Sequence, residues 1–268
     1  MKIIRFVDAQ GQVNLGSLES DGQARLIAGD LLGSYTRTER RILPAKLRAP
    51  IVPTAIFCIG LNYRRHATET GARIPEFPVL FMKNPAAIQN PGDPVELPRH
   101  LASDQVDYEC ELAIVIGRKA KNVPADKALD YVLGFTAAND ISARDWQIQR
   151  GGSQWCRGKT FDTFCPLGPV IVTPDEIGNP NNLAIQTRVN GKTLQQSNTS
   201  DMIFSVEKII EFLSGSTTLL PGTVILTGTP EGVGMARNPP AWLKPGDKME
   251  VEIENIGILS NAVIAEPA

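Results

Sequence analysis

The stretch Tyr108–Gly117, YECELAIVIG, constrains this chain more than any other. It alternates as a strand does, and a strand points residues i and i+2 to the same side. Glu109 and Glu111 therefore share one side, while Cys110, Leu112 and Ile114 take the other. Two neighbouring carboxylates on one sheet face repel unless something relieves them. One relief is a hard divalent cation, since Mg2+, Mn2+ and Ca2+ take oxygen ligands. The other is an edge strand whose acidic face is solvated.

A third acid comes later in the chain. After Gly117 the chain runs through a short helix predicted over 124–131 and into a second apolar strand, VLGFTAAND, which ends at Asp140. That length suits a return to the same sheet, bringing Asp140 towards the two glutamates. Three carboxylates and water make an octahedral shell. Zinc is disfavoured, because the chain has only two histidines, His66 and His100, and its four cysteines contain no CxxC pair.

The rest of the chain reads as mainly β (α+β) with few helices. Strand-like segments recur from KIIRFV at the start to GILSNAVIA near the end. Val189-Asn190-Gly191-Lys192 is a hairpin turn, since Asn-Gly suits the type I′ conformation. Apolar Val206, Ile209, Ile210 and Leu213 predict a helix over 205–213. A weak helix is expected near Leu31 to Ile42. The two prolines of Ala49–Thr54 mark a linker, dividing the 268 residues into a small N-terminal β domain, 1–50, and a larger unit, 51–268. A formal charge of −2 gives no reason to expect nucleic acid or a membrane surface as partner. MKIIRFVDAQ reaches an acid too soon for a signal peptide, and no apolar run is long enough to cross a bilayer. With unframed cysteines, the expectation is reduced thiols and a cytoplasmic location. LTGTPEGVG lacks the lysine and spacing of a phosphate-binding loop.

Other residues carry candidate chemistry. His66 and Glu69, at i and i+3, lie on one face of a short helix. They read as a general-base dyad, in which the carboxylate orients the ring, or as a surface ion pair. Lys159 sits in a polar, glycine-flanked context, Gly158-Lys159-Thr160, which also suits a solvated loop lysine. Arg144 and Gln147 follow Asp140 by four and seven positions, a spacing for one side of a short turn. Lys83, in FMKNP, is a further candidate pocket cation. His100 reads as a loop residue.

Together these motifs resemble the fumarylacetoacetate hydrolase family, from Ile56 to Ile264 and in the family's order. GLNYRRHATETG resembles its lid and catalytic-histidine segment. YECELAIVIG and AANDISARDWQ resemble its metal strands, RGKTFDTFCPLGP its lysine segment, and LTGTPEGVG its closing glycine-rich loop. The likeness is nearest to the shorter members, the domain-containing protein 2 group. The resemblance implies a mixed β-roll with a small N-terminal β domain, a homodimer, and Mg2+ or Mn2+, with Ca2+ as a further option. It implies Glu109, Glu111 and Asp140 as metal ligands, and His66 with Glu69 as the base. Lys159 would stabilise an oxyanion or enolate, and Arg144, Gln147 and Thr229 would contact substrate. Longer members carry a fourth acidic ligand where Phe57 to Tyr63 here holds none, so water is expected in its place. The implied activity is hydrolysis of a carbon–carbon bond in a small 2,4-dioxo acid such as an acylpyruvate. His66 would activate water, and a carboxylic acid and pyruvate enolate would leave. The alternative is oxaloacetate keto–enol tautomerisation or decarboxylation on the same residues; a third reading is non-catalytic metabolite binding.

Overall fold

Apolar alternation becomes strand almost wherever it occurs. In the computed structural model, which describes residues 1–152 and 154–268, the chain opens with β1 (Lys2–Val7), β2 (Val13–Leu18), β3 (Ala24–Gly29), β4 (Tyr35–Ile42) and the short β5 (Lys46–Arg48). The weak helix expected over Leu31–Ile42 is instead β4, paired antiparallel with β3 from Ala24↔Ile42 to Gly29↔Tyr35. Helix propensity in YTRTERRI is a weak bias, and a hairpin partner already in place overrides it.

Past Ala49–Thr54, which has no regular structure, come β6 (Ile56–Gly60), α1 (Arg64–Glu69), β7 (Val79–Lys83), β8 (Ile88–Gln89) and β9 (Val95–Leu97). The acidic region supplies β10 (Val106–Asp107), β11 (Cys110–Ile116), β12 (Val132–Asn139) and β13 (Ser142–Ala143). A turn of π-helix (Asp145–Arg150) and α2 (Cys156–Lys159) lead to β14 (Cys165–Val172) and α3 (Pro174–Ile177). The chain closes through β15 (Ala184–Val189), β16 (Lys192–Asn198), α4 (Val206–Ser214), β17 (Val224–Leu226), β18 (Lys248–Ile253) and β19 (Gly257–Ala265). The hairpin predicted at Asn190-Gly191 joins β15 to β16, with Val189↔Lys192 in register and both turn residues at positive φ. Ser205 caps α4 by accepting from the Lys208 amide.

The large sheet runs β4-β3-β2-β1-β14-β12-β11-β17-β6-β7. The N-terminal strands continue it, because β1 pairs with β14 at Lys2↔Val172 and Ile3↔Ile171. A second sheet, β16-β15-β18-β19-β9, packs against it. Strand β11 lies between β12 and β17, and every one of its residues is buried. The solvated-edge reading of its acids is therefore excluded. Its alternation serves two cores: Leu112, Ile114 and Ile116 join the one shared with the second sheet, and Ala113 and Val115 join the one on the opposite face. A strand covered on both faces reads as a continuous apolar run, and within it only Glu111 breaks the run.

Candidate active site

Register brings the chemistry to one margin of the large sheet. Antiparallel pairing sets the start of β11 against the end of β12, with Cys110↔Asn139 in register. Strand β17 runs antiparallel to β11 and parallel to β6, so its end lies beside the start of β11 and the end of β6. Residues just outside these strand ends therefore converge: Glu109, Asp140, His66 and Thr229. Ligand oxygens of Glu109, Glu111 and Asp140 all lie within 4.8 Å of one another, and all three residues are buried.

Three cations balance this acidic set. Lys159 Nζ donates to Glu109 Oε2 and to Asp140 Oδ2, each at 2.7 Å. Lys83 Nζ donates to Asp140 Oδ1 at 2.5 Å and to the Ile141 carbonyl. Arg144 Nη2 donates to Glu109 Oε1 at 2.6 Å. Burial alone would raise the Glu109 carboxyl, but Arg144 and Lys159 outweigh it and hold it well below the usual carboxylate range. Glu111 has no such partner among the described residues; its Oε2 accepts the Gly228 amide, at 2.6 Å. Burial, with Asp140 and Glu109 alongside, pushes its carboxyl well above the usual range. Gly228 makes that approach at φ +101°, where a side chain would strain the backbone and a Cβ would meet Asn62 Cβ at 2.7 Å.

An oxygen-only set of buried carboxylates, one of them short of positive charge, suits a hard divalent cation and does not suit zinc. Lys159 is held charged: burial opposes its ammonium, yet Asp140 and Glu109 push its pKa up to about 12. Its ammonium is the hydrogen-bond donor that bridges those two carboxylates.

The remaining expected residues divide. His66 Nδ1 meets Glu69 Oε1 at 2.7 Å, and both Glu69 oxygens accept the Gly232 amide at 3.0 Å. His66 is buried and lines the cavity, while Glu69 stands on the exposed side of the pair. Arg144 begins the π-helical turn and donates Nη1 to Gln147 Oε1 at 2.9 Å, which turns the Gln147 amide nitrogen away from the arginine. Arg144, Gln147, Lys159 and Thr229 all line a cavity of about 210 Å³, smaller than drug-sized sites. Lys83, like Asp140, is not among the lining residues; it is buried and bonded to Asp140. A larger hollow lined by exposed His100 shares no lining residue with this cavity.

Two contributors were not foreseen. Asp107 is fully buried and accepts from Arg144 Nε at 2.9 Å and from the amides of Gly234 and Met235 at 2.7 and 3.0 Å. It anchors the arginine and the glycine-rich loop together, and its place two residues before Glu109 was the only available signal. Trp155 forms an apolar wall of the cavity and packs edge-on against Phe81 at 5.6 Å.

Helix α2 delivers Lys159 because Gly158 lets it approach. A Cβ there would meet the Ala143 carbonyl and the Gln147 amide nitrogen, each at 2.5 Å. Gly158→Ala is therefore expected to cost about 1–3 kcal/mol of stability by overpacking. It should also lower kcat by about 100-fold, the scale of a 1 Å misplacement. Thermal melts with steady-state kinetics check this, and unchanged kcat would show that α2 has room to spare.

The family described as "Fumarylacetoacetate (FAA) hydrolase C-terminal" matches residues 55–264. The chain belongs to the fumarylacetoacetate hydrolase family. A second family, "Rv2993c-like, N-terminal", matches residues 1–48. The chain is 50% identical to the mitochondrial oxaloacetate tautomerase fahd2 of Xenopus laevis over 219 residues, 81% of this chain and 68% of that protein. It is 48% identical to the fumarylacetoacetate hydrolase domain-containing protein 2 homolog of Dictyostelium discoideum, over 81% of this chain and 74% of that protein. Among solved structures, 5-carboxymethyl-2-hydroxymuconate delta-isomerase from Mycobacterium smegmatis superposes with a TM-score of 0.86 at 40% identity, covering 99% of this chain and 100% of that one. The mainly β fold expected from sequence is thus that of the family's solved members, and the chain is a member of an enzyme family. The cytoplasmic expectation is corrected: relatives at this similarity carry mitochondrial names. Reduced thiols are compatible with any reducing compartment, so they did not single out the cytoplasm.

Proposed function

We propose that this chain is a divalent-metal-dependent oxaloacetate keto–enol tautomerase, with a homodimer as the expected assembly. The observation that carries the reading is one small cavity lined by both a carboxylate-oriented histidine and a lysine fixed as a cation. The tautomerase names of relatives at 49–50% identity support it over hydrolysis.

Glu109, Glu111 and Asp140 would hold the cation, Mg2+ or Mn2+. When bound, it polarises the 2-oxo group and stabilises negative charge developing there. The protein's part is to position and move a proton. With Nδ1 turned to Glu69, His66 presents Nε2 as the base. It removes a proton from C3 of the keto acid; the C–H electron pair forms the C2–C3 double bond, and the C2 oxygen takes the charge. Lys159 donates to that oxygen, and return of the proton to it completes the enol. The reverse sequence regenerates the keto form. Arg144, Gln147 and Thr229 hold the carboxylates, with arginine suited to carboxylate geometry.

The same dyad would activate water in a hydrolase, so substrates must separate the two activities. The purified protein with Mg2+ is expected to accelerate loss of the oxaloacetate enol absorbance and to leave acylpyruvates uncleaved. His66→Ala should slow tautomerisation by about 100- to 10,000-fold, the range for general acid–base catalysis. Rapid acylpyruvate cleavage without oxaloacetate turnover would return the assignment to the hydrolase.

A further inference from the structure

The tautomerase reading gives Thr229 a substrate carboxylate, and the role of its neighbour Gln195 rests on that reading. A hydroxyl both donates and accepts, so Thr229 serves an anion only if its proton is directed at the anion. Gln195, on β16 of the second sheet and 1% exposed, decides that direction.

The Gln195 amide has one orientation, because both of its ends meet backbone groups of known polarity. The Cys110 amide donates to Oε1 at 3.0 Å, and Nε2 donates to the Pro230 carbonyl at 2.9 Å. A flipped amide would set donor against donor at Cys110 and acceptor against acceptor at Pro230. Thr187 Oγ1 fills the second acceptor position of Oε1 at 2.9 Å. The second Nε2 hydrogen goes to Thr229 Oγ1 at 2.8 Å. Thr229 therefore accepts from Gln195, and among the described residues its own proton has no protein acceptor. Thr229 lines the cavity.

We infer that Gln195 is a positioning residue that commits the Thr229 hydroxyl to donate into the cavity, to a carboxylate oxygen of the substrate. The same amide holds the N–H of Cys110, which lies between Glu109 and Glu111. It thereby ties the loop carrying Thr229 to the acidic strand. Nothing in KTLQQSN marks this glutamine; only the packing of one sheet on the other brings it there.

A binding cycle tests the inference. Gln195→Glu keeps an oxygen for Cys110 and Thr187 but replaces the Nε2 donor with an acceptor, which turns the Thr229 proton away from the cavity. Thr229→Val removes the hydroxyl at constant shape. Calorimetric titration of oxalate in Mg2+ buffer, with oxaloacetate kinetics beside it, is run on wild type, both single variants and the double variant. Each single variant should raise the oxalate Kd and the oxaloacetate KM about 10- to 100-fold, the scale of one hydrogen bond to a charged group. The kcat should move far less, and the double variant should be no weaker than either single. Additive losses, or an oxalate Kd unmoved by Thr229→Val, would overturn it. If Gln195→Glu fails to fold, a crystal structure of the wild type with oxalate decides. Thr229 Oγ1 within hydrogen-bond distance of an oxalate oxygen upholds the inference, and Oγ1 out of reach overturns it. Oxalate binding needs no turnover, so a wild type that ignores oxaloacetate yet shows the non-additive cycle overturns the tautomerase reading and upholds this one.

Discussion

Glu111→Gln is expected to abolish both turnover and Mg2+ binding while leaving the metal-free fold at least as stable as the wild type. The three acids of the site are not equivalent. Asp140 and Glu109 neutralise Lys83, Lys159 and Arg144. Removing either leaves buried charge unpaired, a loss of about 3–5 kcal/mol. Glu111 pairs with no cation among the described residues and is crowded by the other two carboxylates. Asp140→Ala should therefore lose the fold along with activity, and Glu111→Gln should lose only the metal chemistry. The pH dependence comes from the raised Glu111 carboxyl. A group whose folded pKa lies above its ordinary value, here 4.5, stabilises the fold below that value. This contribution disappears as pH rises through the folded pKa. Metal binding needs the deprotonated carboxylate, so the rise in Tm on adding Mg2+ should grow with pH in the wild type. In Glu111→Gln the rise should be absent at every pH. Scanning fluorimetry with and without Mg2+ between about pH 5 and 9 reads both, and an equal Mg2+ effect in wild type and variant would remove Glu111 from the ligand set.

Lys159→Met should lower oxaloacetate tautomerisation by about 100- to 1,000-fold, the usual consequence of losing a preorganised partner for developing negative charge. A merely structural lysine makes a different forecast. Methionine fills similar space beside Phe81, whose ring the Lys159 ammonium now overlies at 5.0 Å. It also leaves Glu109 and Asp140 less neutralised. Mg2+ affinity should therefore hold or increase while turnover collapses. Weakened Mg2+ binding in proportion to lost turnover would mean that Lys159 acts by shaping the carboxylates and not on the substrate.

Much of this was readable along the chain. Period-2 alternation marked strands buried on one face and continuous apolar runs marked those buried on both, because a pleated strand sends successive side chains to opposite faces. The Asn190-Gly191 turn and the capped helix at Ser205 were marked by local chemistry that tertiary contacts leave alone. Local spacing was enough for Glu109 with Glu111 and for His66 with Glu69, since both pairs sit within a single short stretch. It misjudged 31–42, where a pairing partner outweighed propensity. It did not show from which side Lys83 reaches Asp140, because that depends on the place of β7 in the sheet and not on its neighbours in FMKNP.

Residue types and near-neighbour spacing thus determined most of the strands, the acid pair, the pairing of His66 with Glu69 and the family likeness. Tertiary structure alone decided that β11 is central and not an edge, since strand order is a matter of long-range register. It decided that three buried cations are shared unequally among three acids, leaving Glu111 in deficit. It also set Asp107 and Gln195 behind the residues that face the cavity. Those two carry no sequence signal of their own chemistry, because their effect comes from the groups that distant strands and loops bring within hydrogen-bond reach.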